Sequence, residues 1–160
     1  MKLLILFLIT SLTATHAHAV TRPDIDTVSI LGLAPGLDGK MVGSHINEKL
    51  DTLLWSEDAG VGIVKFVGNY FGQKGEFRIA YDKGLVSQVS FVVPTHNQEE
   101  TKKIYDQISQ DILGAFGTPD LETTNNIHEM RWEGMKQSIS VKAVDETQYV
   151  TIALSKFSQN

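Results

Sequence analysis

The pattern that most restricts how this chain can fold is a helix followed by three short alternating segments, and it occurs twice. In the second copy, Ile104, Ile108 and Ile112 recur at the spacing of one helical face. The strand segments alternate apolar and polar residues, as in residues 76–81 and 128–133. Because short turns join consecutive strands into antiparallel meanders, the sequence predicts an α+β fold. We expect an antiparallel sheet of six to seven strands with two helices on one face.

The two predicted units cover residues 43–93 and 97–157. Ser44 is the predicted N-cap of a first helix that runs to residue 55. Asn97 with Glu100 predicts the start of the second helix, which Gly117 ends. Ser109, one position around from Ile108, is expected to lie off the core face. The predicted strands are residues 28–33, 61–71, 76–81, 85–93, 128–133, 138–143 and 150–155.

The N-terminus has the three parts of a secretory signal peptide in order. Met1-Lys2 is a short positive start, residues 3–12 are mostly apolar, and Ala17-His18-Ala19 is a small-x-small cleavage site. The apolar run is shorter than the roughly 20 residues that span a bilayer. We therefore predict a signal peptide over residues 1–19, cleaved before Val20, and a single α+β domain over residues 20–160. A retained N-terminal anchor or a buried helix is the alternative.

The amino-acid composition limits which cellular compartments and which classes of partner we expect. The chain has no cysteine, so it forms no disulfide and holds no thiolate metal site. Its net charge of −5 at pH 7 becomes −6 once Lys2 is removed with the signal peptide. An acidic chain without a strongly basic segment is a poor ligand for nucleic acid or an anionic membrane. We expect a periplasmic protein, with secretion as the alternative, and no stable membrane insertion after cleavage.

Several short motifs resemble one group of small periplasmic proteins. They are Gly32-Leu33-Ala34-Pro35-Gly36 before a helix, Gly84-Leu85 with Val89-Ser90-Phe91, and Phe116-Gly117-Thr118-Pro119 followed by Trp132 and a final apolar strand. The mature chain resembles tandem α+β proteins with a β-lactamase-inhibitor-protein-like fold, and loosely the small outer-membrane assembly lipoproteins. It departs from the lipoproteins in having no cysteine to acylate. The resemblance implies a non-enzymatic binding protein and transfers no functional residue.

Polar residues near the predicted helices offer one alternative chemistry. His45 and Glu48 are three residues apart on a helix, and His96 or His128 could complete a metal site with them. The competing interpretation is a solvated helix face at His45 and helix-capping chemistry around His96. His128 is then a strand residue that shares a face with Met130 and Trp132. We favour the competing interpretation and predict no metal, no cofactor and no catalytic residue.

The segment 61–71 differs from every later strand because both of its faces are largely apolar. One interpretation is a strand whose second face is covered by other parts of the chain. The other is an exposed aromatic patch that binds a protein. If any strand carries a partner surface, the predicted residues are Val64, Phe66 and Tyr70, with Arg78 and Gln88 as the polar rim.

Together these features predict an exported, non-enzymatic protein-binding module. It would act as an inhibitor, an immunity protein or an envelope adaptor on an unidentified partner in the cell envelope. The alternatives are a small metal-assisted hydrolase that uses His45, Glu48, His96 or His128, and a carrier of a lipid or another small ligand. A carrier needs a cavity between the helices and the sheet.

Overall fold

The computed structural model describes residues 22–47, 56–58, 63–144 and 146–157. The predicted signal peptide, its cleavage site before Val20 and residues 48–55 of the predicted first helix lie outside the described residues. So do Val61 and Gly62 at the start of the apolar segment. The side chains of residues 45–47 and 56–58 are likewise outside the description.

The described residues form a single antiparallel sheet of eight strands with two α-helices, which confirms the α+β class. The strands run in the order β1-β2-β3-β4-β8-β7-β6-β5. A short 3₁₀ helix, Ile25–Thr27, precedes them. The elements are α1 (Gly39–Asn47), β1 (Ser56–Asp58), β2 (Ile63–Tyr70), β3 (Gln73–Asp82), β4 (Leu85–Pro94), α2 (Gln98–Phe116), β5 (Leu121–Thr124), β6 (Ile127–Glu133), β7 (Gln137–Val144) and β8 (Tyr149–Lys156).

The strand order reads the same from both edges when the chain is divided into two units. One unit is α1 with β1 to β4, and the other is α2 with β5 to β8. The last strands of the units, β4 and β8, pair at the centre, where Phe91 lies opposite Ile152. The repeat therefore contains four strands per unit. The sequence indicated three, because β1 and β5 are very short edge strands.

One face of the sheet carries the hydrophobic core. Phe66, Phe77 and Phe91 lie side by side on β2, β3 and β4, and all are at most 1% exposed. The ring centroids of Phe66 and Phe77 are 4.8 Å apart, and those of Phe77 and Phe91 are 4.5 Å apart. Val42 of α1 and Ile108 of α2 belong to the same cluster. Burying each of these side chains contributes about 1.5–3 kcal/mol, so this row and its helices supply much of the folding free energy.

Helix α2 begins and ends where the sequence predicted. The Asn97 side chain accepts a hydrogen bond from the Glu100 N–H at 2.9 Å, and the Gly117 N–H donates to the Leu113 carbonyl. The predicted stripe is buried against β7 and β8, with Ile108 0% exposed. The prediction for Ser109 was wrong, because this residue is 1% exposed. Its hydroxyl makes no hydrogen bond of acceptable geometry among the described residues.

Two predicted elements near the N-terminus differ in the structure. Residues 28–33 do not form a strand: residues 30–33 form a tight turn, in which Ile30 and Leu33 each donate a backbone hydrogen bond to the carbonyl of the other. Leu31 and Gly32 both have positive φ in this turn, 56° and 79°, and glycine adopts such a conformation without steric cost. Helix α1 begins at Gly39, so Ser44 lies inside it and is not its N-cap. Asp38 occupies the capping position instead and accepts a hydrogen bond from the Lys40 N–H.

The β2–β3 and β3–β4 hairpins have two-residue turns. Phe71 and Gly72 both have positive φ, as do Lys83 and Gly84 in the next turn. This is the backbone of a type I′ turn, whose twist suits paired strands. The sequence had placed the first turn at residues 72–75. Gly75 instead lies within β3, opposite Gly68 of β2.

Hydrogen bonds tie the segment before α1 to the second unit. The Asp26 carboxylate accepts from the backbone N–H groups of Met135 and Lys136, in the turn between β6 and β7, and of Gln137, the first residue of β7. Arg22 donates two hydrogen bonds to the Asp120 carboxylate. The Gln137 side chain donates to the carbonyls of Ile25 and Val28. The first described residues are thus fixed to the sheet through polar contacts.

Candidate functional site: the open face of the sheet

The face of the sheet opposite the core cluster carries polar and charged residues interspersed with apolar ones. Alternate side chains of β2 to β8 point to it, and no described helix packs there. Its central row crosses seven strands through directly paired residues. That row is Lys65, Arg78, Ser90, Ala153, Ser140, Arg131 and Leu121. We call this surface the open face.

Small residues lie at the middle of the open face and cations lie on both sides. Ser90 and Ala153 pair at the centre of the sheet and are 7% and 5% exposed. Arg78 lies on the strand next to Ser90. On the other side, Arg131 lies two strands away from Ala153. The central row contains no carboxylate.

The charges of the open face are arranged unevenly. Lys65 lies directly opposite Arg78 on the neighbouring strand, and like charges in this position destabilise a sheet. Glu76 partly offsets the repulsion through a 2.5 Å ion pair with Arg78. Arg131 is paired in the same way with Glu129, at 2.6 Å. The pair of Arg78 and Glu76 is exposed, and such pairs contribute at most about 1 kcal/mol, so Arg78 remains available for exchange with a partner. In the second pair the Glu129 side chain is only 14% exposed.

The structure separates the predicted binding residues onto two faces. Arg78 and Gln88 are exposed on the open face. Val64 and Phe66 lie on the core face, 5% and 1% exposed, so they are not a surface in this structure. Tyr70 is half-buried and packs edge-on against the Phe91 ring, with centroids 5.7 Å apart. The prediction that these five residues form one surface was therefore wrong.

The reason is the register between β2 and β3. Phe66 lies directly opposite Phe77, which the alternation of β3 already assigns to the core. A turn of two or of four residues pairs even-numbered residues of β2 with odd-numbered residues of β3. This signal was present in the sequence and could have placed Phe66 in the core. The apolar residues of β2 on the open face are Ile63 and Val67, both half-buried.

A groove of about 360 Å³ separates α2 from the outer strands on the other face of the sheet. The rings of Tyr105 and His128, which both line the groove, contact each other in a tilted arrangement, with centroids 6.0 Å apart and planes inclined by 55°. Burial raises the pKa of the Tyr105 phenol, and the nearby carboxylates of Glu122, Asp106 and Glu129 raise it further, against a lowering effect of the Ser109 hydroxyl. The lining residues are Gln98, Thr101, Lys102, Tyr105, Asp106, His128 and Ala143.

The residues considered for a metal site are placed as follows. His96 lies before α2, where both its N–H and its ring Nδ1 contact the Glu100 carboxylate, at 2.6 Å and 2.9 Å. The hydrogen bond from the His96 N–H and the contact with its ring hold the pKa of Glu100 below its ordinary value. His128 lies on β6, opposite Ala143. The His45 side chain and Glu48 lie outside the described residues. Within the described ranges, no three side chains of the metal-binding types gather into a cluster.

The comparisons with known proteins give no relative from which a role could be transferred. No family model matches the chain, and no curated protein or solved structure matches it either. In the part of the chain that the structure describes, none of the helices has the length and apolar character needed to cross a membrane.

Proposed function

We propose that this chain is exported to the periplasm and binds another envelope protein through the open face of its sheet. The observation that carries the proposal is that one entire face of the sheet is left without a covering helix among the described elements. Antiparallel sheets commonly pack one face on the core and leave the other face exposed to solvent. A partner can bind to such an exposed face. The resemblance to β-lactamase-inhibitor-protein-like folds is in keeping with a non-enzymatic role.

The chemistry of the open face favours a partner with carboxylates on its contact surface. The central row carries Lys65, Arg78 and Arg131, whereas the chain as a whole has a net charge of −5. The like-charged pair of Lys65 and Arg78 costs stability in the free protein, and an acidic partner would relieve that repulsion. Arg78 and Arg131 would exchange their present partners, Glu76 and Glu129, for carboxylates of the bound protein.

Binding is tested by affinity capture from an envelope extract of the cell that makes the protein, followed by direct measurement with the purified partner. We expect Arg78→Glu to weaken binding at least tenfold and to lower its dependence on salt, because it reverses a charge at the contact. Lys103→Glu is the matched control, since Lys103 is exposed on α2, away from the open face. Binding that survives Arg78→Glu but is lost in Lys103→Glu would contradict the proposal.

Export is tested separately by the intact mass of the protein recovered from the envelope fraction. We expect a chain that begins at Val20, because Ala17-His18-Ala19 follows the apolar run. A mass that retains residues 1–19 would contradict the proposed location of a soluble product. It would leave the binding experiment on the open face unaffected.

A further inference from the structure

The open face carries a short row of apolar residues at one end of its central strands. Tyr149 of β8 and Pro94 of β4 lie directly opposite each other. Ile127 of β6 and Val144 of β7 form a second pair. The pairing of β7 with β8 runs up to the residues next to Val144 and Tyr149, so the two pairs are adjacent in the sheet. We call these four residues the apolar stripe.

The side chains of the apolar stripe are open to solvent. Tyr149 is 41% exposed and Ile127 is 40% exposed, whereas most apolar side chains of this sheet are buried. Pro94 is also exposed, and Val144 is half-buried. The helix that contacts these strands, α2, packs on the core face. Adjacent exposed apolar residues with polar neighbours are typical of a protein interaction site, whereas single ones are not.

The row of residues next to the apolar stripe carries more cations than carboxylates. Lys142 of β7 lies directly opposite Glu129 of β6 in this row. Glu129 is already bonded to Arg131 through two hydrogen bonds, of 3.1 Å and 2.6 Å. Among the described residues, Lys142 makes no ion pair. Two cations therefore share one carboxylate beside the stripe, and this charge balance favours a carboxylate on the partner.

The segment that suits this stripe is a helix, for two physical reasons. A chain that lies on the face of a sheet cannot bond to the backbone of the sheet, so it must satisfy its own N–H and C=O groups, as a helix does. The stripe also runs across strands that are about 4.8 Å apart. Side chains on one face of a helix recur every three or four residues, about 4.5–6 Å along its axis, so they can contact successive strands. The core face of β7 and β8 is already covered by a helix, α2.

We propose that the apolar stripe binds an amphipathic helix of the partner protein, with apolar side chains against Tyr149 and Ile127 and a carboxylate at Lys142. This inference rests on the proposed function, because it names the segment that an envelope partner would place on the open face. The four strands of the stripe span about 14 Å, so about 10 residues of helix cover it. Arg78 lies outside the stripe, on β3, so substitutions at the two places test the two proposals separately.

The probe is a synthetic peptide of about 14 residues, held helical by a side-chain lactam, with leucines on one face and glutamates beside them. It is titrated into the ¹⁵N-labelled protein expressed from the full-length chain, and the amide shifts are followed by NMR. We expect saturable shifts in residues 127–129, 142–144 and 149–151. A peptide with lysines in place of the glutamates should bind at least fivefold more weakly, and one with serines in place of the leucines should give no saturable shift.

Substitutions in the protein separate the apolar contact from the charge. We expect Tyr149→Ser to weaken binding of the acidic peptide at least fivefold, and Lys142→Glu to make the lysine peptide the tighter ligand. Met135→Ser is the matched control and should have no effect, because Met135 is 80% exposed but lies in the turn at the opposite end of β7. Ile127→Ser provides a second variant of the stripe if Tyr149→Ser fails to fold.

Equal affinity for the acidic and lysine peptides, unchanged affinity in Tyr149→Ser, or shifts confined to other residues would overturn the proposal. Stripe amides that shift with protein concentration in the absence of peptide would assign the stripe to a second copy of the chain and would also overturn it. An envelope partner that tolerates Tyr149→Ser but is lost in Arg78→Glu contradicts this inference and leaves the proposed function standing. A partner that tolerates Arg78→Glu contradicts the proposed function, whereas specific peptide binding would still support the stripe as a helix-binding site.

Discussion

At the scale of single residues, one glycine within a strand makes room for the aromatic core. Gly68 and Gly75 lie opposite each other on β2 and β3. A Cβ atom at Gly75 would lie 2.7 Å from Cζ of Phe91 and closer still to the Val92 carbonyl oxygen. Phe91 therefore occupies space that any other residue at position 75 would fill. Glycine is required at position 75 by close packing and not by a turn. Sequence patterns do not distinguish these two requirements, so the sequence suggested a turn.

This packing predicts opposite effects for two glycine-to-alanine substitutions. Gly75→Ala should destabilise the protein by about 1–3 kcal/mol, because the overpacked side chain must displace Phe91 or the strand. Gly114→Ala should stabilise it by about 0.5–1 kcal/mol, since Gly114 is exposed near the end of α2 with no atom within 4 Å of an added Cβ. Urea denaturation of both variants measures the difference. Equal midpoints would show that the Phe91 ring can move away without cost.

Two neighbouring side chains of α2 should differ in how much they stabilise the fold. Ile108→Ala should cost about 2–5 kcal/mol, because a fully buried side chain is lost and a cavity remains. Ser109→Ala should be close to neutral although Ser109 is also buried. Its hydroxyl is desolvated without a well-made hydrogen bond, so removing it sacrifices little. Thermal unfolding of the two variants measures this difference. If Ser109→Ala proved more destabilising than Ile108→Ala, our assignment of the helix face would be wrong.

At the scale of elements, helix ends and strands were predictable where local chemistry determines them. The cap at Asn97, the end at Gly117 and the alternation of β3 all depend on near neighbours in the sequence. The prediction failed where tertiary contacts decide. Residues 28–33 look like a strand, yet residues 30–33 form a turn that Gly32 permits, and this turn buries the side chains of Ile30 and Leu33. Phe66 was misplaced because both sides of β2 are apolar, and only pairing with β3 distinguishes them.

The segment at the 3₁₀ helix is an element that sequence patterns do not reveal, because its anchor is remote. Asp26 binds backbone N–H groups of residues 135–137, more than a hundred residues away. The Lys136 N–H is the largest of the effects that hold the pKa of Asp26 below 3.8. A carboxylate whose folded pKa is lowered stabilises the fold above its unfolded pKa. That stabilisation is lost as the pH falls through the folded value.

We therefore expect Asp26→Asn to lower the melting temperature at pH 7 and to matter progressively less below about pH 3.8. The amide oxygen is a weaker acceptor than the carboxylate, and in acid the wild-type carboxyl group also loses its charge. Asp111→Asn on the exposed face of α2 is the control. Melting curves from pH 3 to pH 7 measure the difference between variant and wild type. A difference that stays constant over this range would contradict the role assigned to Asp26.

At the scale of the whole molecule, the two units share one sheet and one core. The ladder between β4 and β8 joins them, and the core row runs across it through Phe91 and Ile152. The N-terminal segment adds a second link, since Arg22 and Asp26 bind the other unit. Neither unit buries its central strand edge without the other. The two units should consequently unfold in one cooperative transition, as small single domains usually do.

Ile152→Ala tests this coupling because Ile152 is 0% exposed and lies at the junction of the two units. It should cost about 2–5 kcal/mol and reduce the hydrogen-exchange protection of amides in β3 and in β7 by the same amount. Leu121→Ala is the control, because Leu121 is 39% exposed on edge strand β5 and its loss should affect only nearby amides. Protection that falls in β7 while β3 keeps its original value would show that the units unfold separately. In that case the open face would be two surfaces able to move apart, and a partner that covers both units would have to hold them together.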